Sequence, residues 1–236
     1  MFCHACVHSG LRGRFFIPNL GVRGARGMSG NTVLRGALAA LFVMIAAGSA
    51  QACSKASVAG IDAPVGAKVD VALLDRAILA ELNVQRCKAG LSALKGSPDL
   101  RHVAEVHSRW MAKTSRVSHQ STVAGQSTLK ARLSSSGLRV KAGSENIAMV
   151  HRYAIDGMKF RIRDAASCSF ATAAGETIPA HSYASLARHA VKLWMASSGH
   201  RKNILDRRVT MVGSAAALNA KAANCGQIFL SQNFAG

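Results

Sequence analysis

The stretch Trp194–Leu205, WMASSGHRKNIL, concentrates the chemistry of this chain. A helix runs into it, Ser197-Ser198-Gly199 breaks that helix, and a histidine, two cations and an asparagine follow at once. Ile204 and Leu205 tie the segment back to a core, so a polar cluster is pinned between a helix end and a buried anchor. Two further residues of useful type are dispersed along the chain: His119 in a polar loop and Glu145 at the head of an apolar run. Imidazole and carboxylate together suit Zn2+ or another divalent ion, with water completing the shell. They also suit hydrolysis, with His200 as general base and Ser197 or Ser198 nearby. Each residue has a plainer role too. Trp194 fits a core, Gly199 a helix stop with positive φ, Asn203 a turn and Arg201 a surface cation. His119 fits a solvated loop and Glu145 a structural carboxylate. A hydrogen bond from His200 to Glu145 would itself hold a helix to a sheet.

Several chemistries are excluded by absent motifs. The chain has no H-E-x-x-H, no G-x-x-x-x-G-K-S/T and no G-x-S-x-G, because Met195-Ala196-Ser197-Ser198-Gly199 lacks the first glycine of a nucleophile elbow. A zincin, a P-loop enzyme and an α/β-hydrolase are therefore not expected. Cys3-His4-Ala5-Cys6-Val7-His8 is not a haem attachment site, since Val7 stands where the histidine is required.

The elements that must position these residues can be read from periodicity and caps. Asp70 caps a helix running to about Lys88, with Val71, Leu74, Ile78 and Leu82 on one stripe and Gly90 as its stop. Ser97-Pro98-Asp99 opens a second helix, whose buried face is Leu100, Val103, Ala104, His107, Trp110 and Met111. His107 is thereby a core histidine, and His102, off the stripe, is solvated. A polar loop through His119 follows, then a short helix at about Thr128–Ser135 and a buried strand at Ser144–Val150. Lys159–Arg163 alternates as a strand with one basic and one apolar face, and Ala165–Pro179 reads as loop. Tyr183–Ala196 is a third main helix, and Thr210–Leu218 and Gln227–Phe234 are the last two strands. Helices and strands without βαβ alternation predict an α+β fold, with helices covering a small, mostly antiparallel sheet.

Residues Ala37–Ala47 form an apolar run of signal-peptide length, preceded by Arg35 and followed by Ala50-Gln51-Ala52 as a cleavage signal. The run is too short to span a bilayer. We expect 1–27 to be an upstream extension, 28–52 a signal peptide, 53–69 a linker, and 70–236 one domain, secreted or periplasmic. A lipid-anchored Cys53 fits less well, because Ala50 and Gln51 depart from the usual lipidation signal. Removing 1–52 removes five arginines and no acids, so the formal charge falls from +19 to +14. That excess fits anionic surroundings such as cell-envelope polymer, lipopolysaccharide, acidic lipid or nucleic acid, and equally a basic exported protein whose charge only sets its solubility. Lipid or peptide is expected as a ligand. Nucleic acid is not an expected partner, since no recognition helix or stacking platform is present. Four cysteines remain after cleavage, an even number that fits disulfides in an oxidising compartment. They allow three pairings, of which Cys168–Cys225 with Cys53–Cys87 is the one we favour.

Read in order, Asn83-x-x-Arg86, His107-Ser108-x-x-Met111, Ser118-His119, Glu145-Asn146-Ile147-Ala148, Trp194-Met195-x-Ser197-x-Gly199-His200-Arg201-x-Asn203-Ile204-Leu205 and Gln232-Asn233-Phe234 resemble the CAP superfamily of cysteine-rich secretory, antigen 5 and pathogenesis-related proteins, in its bacterial exported form. The resemblance covers about Val71–Gly236. It implies a three-layer α-β-α sandwich with a concave cleft, lined in the wider family by two histidines and two acids that bind a divalent metal. Carried over, the histidines are His119 and His200 and the first acid is Glu145, which makes these three the expected zinc ligands. The second acid falls near Ser197, a departure. Asn146 and Arg201 are expected at the same cleft. The long stretch from Val150 to Ser182 is a second departure and is expected as a flap over it. The resemblance favours a binding module of the cell envelope, taking lipid, glycan or peptide, over an enzyme. The alternative is a metal-assisted or His-dependent hydrolase using the same cleft, with no catalytic residue assigned by motif.

Overall fold

A computed structural model describes residues 53–236. The expected upstream extension, the signal peptide and the leader cysteines lie outside the described residues. Three long helices form where the sequence predicts them, two of them at the expected caps. Helix α1 (Val71–Lys88) begins where the Asp70 side chain accepts the Leu73 N–H, and Gly90 follows its end at φ +66°. Helix α2 (Pro98–Thr114) begins where Ser97 Oγ accepts the Leu100 N–H, and ends on Ser115 in the left-handed region. Between them lies the two-residue strand β1 (Lys95–Gly96), and after α2 comes the short helix α3 (Leu129–Ser135), capped by Thr128.

Strand β2 (Gly143–His151) is followed by three short strands, β3 (Phe160–Asp164), β4 (Ser169–Thr172) and β5 (Thr177–Ile178). Helix α4 (Tyr183–Ala196) is opened by a capping box of Ser182 and Ser185. A second short helix, α5 (Ser198–Ile204), precedes β6 (Met211–Asn219) and β7 (Gln227–Ala235). The main sheet has the order β1-β6-β7-β2, antiparallel except for the β1–β6 pair. Helices α1 and α4 pack on one face through Leu74, Ile78, Leu186, Val191 and Trp194 against Ile228, Leu230 and Phe234. Helix α2 packs on the other through Trp110 and Met111 against Ile147 and Phe229. Adjacent residues of β7 thus serve opposite cores, as the two-residue repeat of a strand requires. Each fully buried Leu, Ile or Phe contributes roughly 1.5–3 kcal/mol. The α+β class and the α-β-α layering agree with the expectation.

One glycine is required by this packing. A Cβ on Gly213 of β6 would collide with the Arg101 backbone nitrogen and lie 2.7 Å from Leu100 Cβ, so α2 can seat on the sheet only because that side chain is missing.

Three expectations about the connections are corrected. Residues 53–69 are not a free linker: Val65 is 1% exposed, its N–H donates to His181 O, and Ile61 and Ala63 accept from Ala184 and Tyr183. This strap is tied to α1 by Cys53–Cys87, the favoured pairing, and a Cys53 held in a disulfide has no thiol left for a lipid. Residues 165–179 are not loop: β4 and β5 complete a second sheet of order β3-β4-β5 around Phe170, Ile155 and Ile178. Ile162 is 55% exposed at its edge, so β3 has no buried apolar face beyond Phe160. The small sheet is stapled by Cys168–Cys225, also as favoured. It is no flap, because the chain enters it from the far end of β2. Eight residues separate Gly143 from His151, about 26 Å of strand.

A second histidine cluster roots that sheet. His151 Nδ1 lies 2.6 Å from Asp156 Oδ1, His189 Nε2 lies 3.5 Å from Asp156 Oδ2, and the His181 ring stacks 5.4 Å from His189. Burial pushes the Asp156 carboxyl up, but the nearby His189 imidazole and hydrogen bonds from the His151 ring and backbone outweigh it and hold it at about 2. Burial, then the neighbouring His189, depresses His181 from 6.5 to about 4, with Asp156 opposing. The folded state therefore takes up this proton later than the unfolded chain does. As pH falls from about 6.5 to about 4, His181 should remove roughly 3 kcal/mol of stability and no more below that. Asp75, pushed up to about 6 by burial, works in the opposite sense, losing stability as pH rises from 3.8 to about 6. The informative measurement is thus the urea stability of His181→Gln minus that of the parent, from pH 7 to pH 4. A difference that does not change with pH would refute this role.

Candidate functional site

The cleft sits at the outer edge of β2, where the two helical layers meet across the sheet rim. Alternation along β2 divides its residues: Glu145 faces the α2–α3 side and Asn146 the α4–α5 side. From the first side the loop after α2 brings His119, and from the second α5 brings His200. Together with Ser144, Ser197, Lys202, Asp206 and Arg208 they line a cavity of about 490 Å3. A more apolar groove of about 520 Å3 lies beside the Cys53–Cys87 disulfide, but Arg76 is the one charged residue lining it.

Glu145 is organised by a residue that sequence reasoning did not single out. Arg132 of α3 is fully buried, and its guanidinium grips both carboxylate oxygens: Nε to Oε2 at 2.9 Å and Nη2 to Oε1 at 2.7 Å. The same side chain donates to Gln126 O and His119 O, so one arginine holds the carboxylate and the histidine loop together. A signal existed. Arg132 lies on the stripe with Leu129 and Leu133, and a cation on the apolar face of a short helix needs a buried partner.

His119 Nδ1 lies 2.8 Å from Glu145 Oε1. The carboxylate can only accept when ionised, so Nδ1 carries the proton and Nε2 is left to act as acceptor. The loop is anchored again at Ser118, whose carbonyl accepts His107 Nε2–H at 2.9 Å. His107 is the expected core histidine, stacked on Trp110, though its Nδ1 is buried without a partner. Burial lowers its pKa against the pull of Glu145.

On the other side, α5 replaces the turn expected after α4, and Gly199 sits inside it without a positive φ. Asn203 is a latch and no turn residue: its amide donates to Glu145 O at 3.1 Å and to Asn146 Oδ1 at 2.9 Å. Asn146 continues to Gln232, and Gln232 to Ser214. Arg86 of α1 donates to Ile204 O and Asp206 O, closing the far end of α5. Arg86 and Gln232 are thus positioning elements. His200 makes no side-chain hydrogen bond to Glu145, and burial, then His119, lowers its pKa.

Of the expected cleft residues, His119, Glu145, His200 and Ser197 come together. Asn146 lies beneath the cleft, fully buried in the amide ladder. Arg201 does not line it: the helical twist of α5 turns its side chain toward Met195 O, and Lys202 faces the cavity instead. The expected zinc set does not fit this donor geometry. The Glu145 side chain is 0% exposed and both its oxygens are bound to Arg132, which leaves two imidazoles. The other lining acid, Asp206, is also occupied: the side chain and backbone of Arg208 hold its carboxyl at about 2.

Comparison with known proteins adds a family match. The model of the cysteine-rich secretory protein family, CAP, matches residues 79–234. Among solved structures, the chain is similar to an extracellular protein containing a SCP domain from Bacillus anthracis, with TM-score 0.47 and 23% identity over 69% of this chain and 40% of that one. It is also similar to an outer surface protein from Borrelia burgdorferi, with TM-score 0.48 and 14% identity over 71% and 96%. A cysteine-rich secretory protein from Staphylococcus aureus gives 0.41 and 17% over 70% and 39%. The chain thus spans well under half of two of these three proteins. No curated protein matches it.

Proposed function

The chain belongs to the cysteine-rich secretory protein family, and from that premise we propose that it is an exported binding module of the cell envelope whose cleft takes part of a glycan, lipid or peptide. The observation that carries this reading is the convergence of His119, Glu145, Ser197 and His200 at one solvent-reached cavity built from three separate elements. Two disulfides support an oxidising compartment. Among the described residues no helix is long and apolar enough to cross a membrane. The excess of cations supplies long-range attraction to anionic envelope polymer, and the cleft supplies selectivity.

A hydrolase is the second reading, favoured by one observation: Glu145 orients His119, as a base needs. Arg132 weakens it. A carboxylate already paired with a guanidinium stabilises a nearby imidazolium less than a free one would.

The test is retention on purified envelope polymer and on anionic vesicles across a salt series. We expect retention to fall steeply with salt, and to fall at least several-fold in a His119→Ala/His200→Ala variant at fixed salt. Retention indifferent to that variant would remove the cleft from binding. Turnover of a peptide or peptidoglycan panel, lost in the same variant, would favour the hydrolase.

A further inference from the structure

The charges lining the cleft are not those of a cation site. Both of its carboxylates are committed, Glu145 to Arg132 and Asp206 to Arg208. The first pair is buried and closed, with 0% side-chain exposure on either partner. Its negative charge is cancelled within the wall. What remains open toward the cavity is Lys202, which has no acidic partner among the described residues, together with the His200 imidazole and Nε2 of His119, whose Nδ1 is held by Glu145. Hydroxyls complete the lining. Ser197 flanks α5 without bonding its backbone, and Ser144 Oγ is shielded from solvent with no hydrogen-bond partner. Where a second family acid is expected, Ser197 offers a neutral donor.

Resting on the binding reading above, we propose that the cleft is an oxyanion site: Lys202, His119, His200 and the hydroxyl of Ser197 hold a phosphate group, in place of a divalent cation. Lys202, His200 and Ser197 donate from one helical layer, and His119 donates from the other once its Nε2 is protonated, a spread that matches the several oxygens of a tetrahedral anion. A carboxylate would engage only one side. Lys202 acts as a point charge, the usual lysine role toward phosphate. The phosphate has two sources, the free ion or a phosphodiester of envelope polymer or lipid headgroup, with the same chemistry at the cleft.

The experiment is a titration of the purified protein, followed by the imidazole carbon–proton resonances of His119 and His200, at constant ionic strength. The probes are inorganic phosphate, glycerophosphoglycerol and zinc chloride, each alone. We expect both phosphate probes to shift both rings saturably. Lys202→Glu should weaken binding at least about ten-fold, since it reverses a charge beside the anion. Lys192→Glu, the same change on the exposed outer face of α4, should leave it within about two-fold. Tighter binding of the phosphodiester supports a polymer or headgroup source, and tighter binding of inorganic phosphate supports the free ion. Absence of saturable shifts with either probe, or equal affinity in the Lys202→Glu protein, would overturn the proposal. So would one-to-one zinc binding that is lost on Glu145→Gln, because Glu145 would then be a ligand. If phosphate fails while envelope retention still depends on His119 and His200, the oxyanion assignment falls and the binding module stands. If phosphate binds but retention ignores those residues, the oxyanion assignment holds and the envelope reading falls.

Discussion

Arg132→Met should destabilise the protein by about 3–5 kcal/mol, the range for removing one partner of a buried ion pair. The reason is electrostatic. Arg132 and Glu145 are both fully buried, and the substitution leaves a carboxylate in a dry wall with His119 as its nearest remaining partner at 2.8 Å. Two backbone carbonyls, Gln126 O and His119 O, lose a donor at the same time. The cost should be strongly coupled. In an Arg132→Met/Glu145→Leu protein, where both charges are gone, most of it should return, as apolar replacement of a whole buried pair is close to neutral. Urea unfolding of the parent, the two single variants and the double variant measures the coupling directly. A coupling below about 1 kcal/mol would show that the guanidinium is not what stabilises Glu145. The loop carrying His119 should loosen in the single variant, and amide exchange at residues 116–127 should speed up.

Removing Cys168–Cys225 by a double serine substitution should cost about 2–4 kcal/mol, with the loop-closure estimate for a separation of 57 residues near the upper figure. This bridge is the covalent tie between the small β3–β5 sheet and the turn joining β6 to β7. The small core around Phe170 and Ile178 rests on three short strands and a few neighbouring residues such as Ile155. Both cysteines adopt left-handed backbone conformations, at φ 56° and 62°, so the staple also fixes two residues in a sparsely favoured region. Hydrogen exchange should rise across residues 160–178. The cleft should be untouched, because the small sheet joins β2 about 26 Å from Gly143. Phosphate titration of the reduced-bridge variant therefore ought to match the parent, and a changed affinity would place the small sheet in contact with the ligand.

Much of the fold was legible because local chemistry and tertiary need agree. Asp70, Ser97, Thr128 and Ser182 cap the helices that their sequence context predicts, and Leu74, Ile78, Leu186 and Trp194 bury the stripes that periodicity marks. The segment after α4 misled for an identifiable reason. Ser-Ser-Gly has the composition of a turn, yet α5 forms there with Arg86 holding its last carbonyl and Asn203, within it, tying it to β2. Residues 165–179 misled in the same way. Small polar residues carry little strand signal, and their pairing is enforced by Phe160, Phe170 and a disulfide.

The sequence by itself determined which residues to look for at one place: His119, Glu145, Ser197 and His200 are marked by type and by order along the chain, and they line one cavity. Only the tertiary structure decided which of their atoms are open and which are already held. Arg132 lies thirteen residues from Glu145 along the chain and Lys202 fifty-seven, and neither relation has a sequence period. Charge acts through space. A carboxylate is a metal ligand when its oxygens are open, and a neutral piece of wall when a buried guanidinium already holds them both.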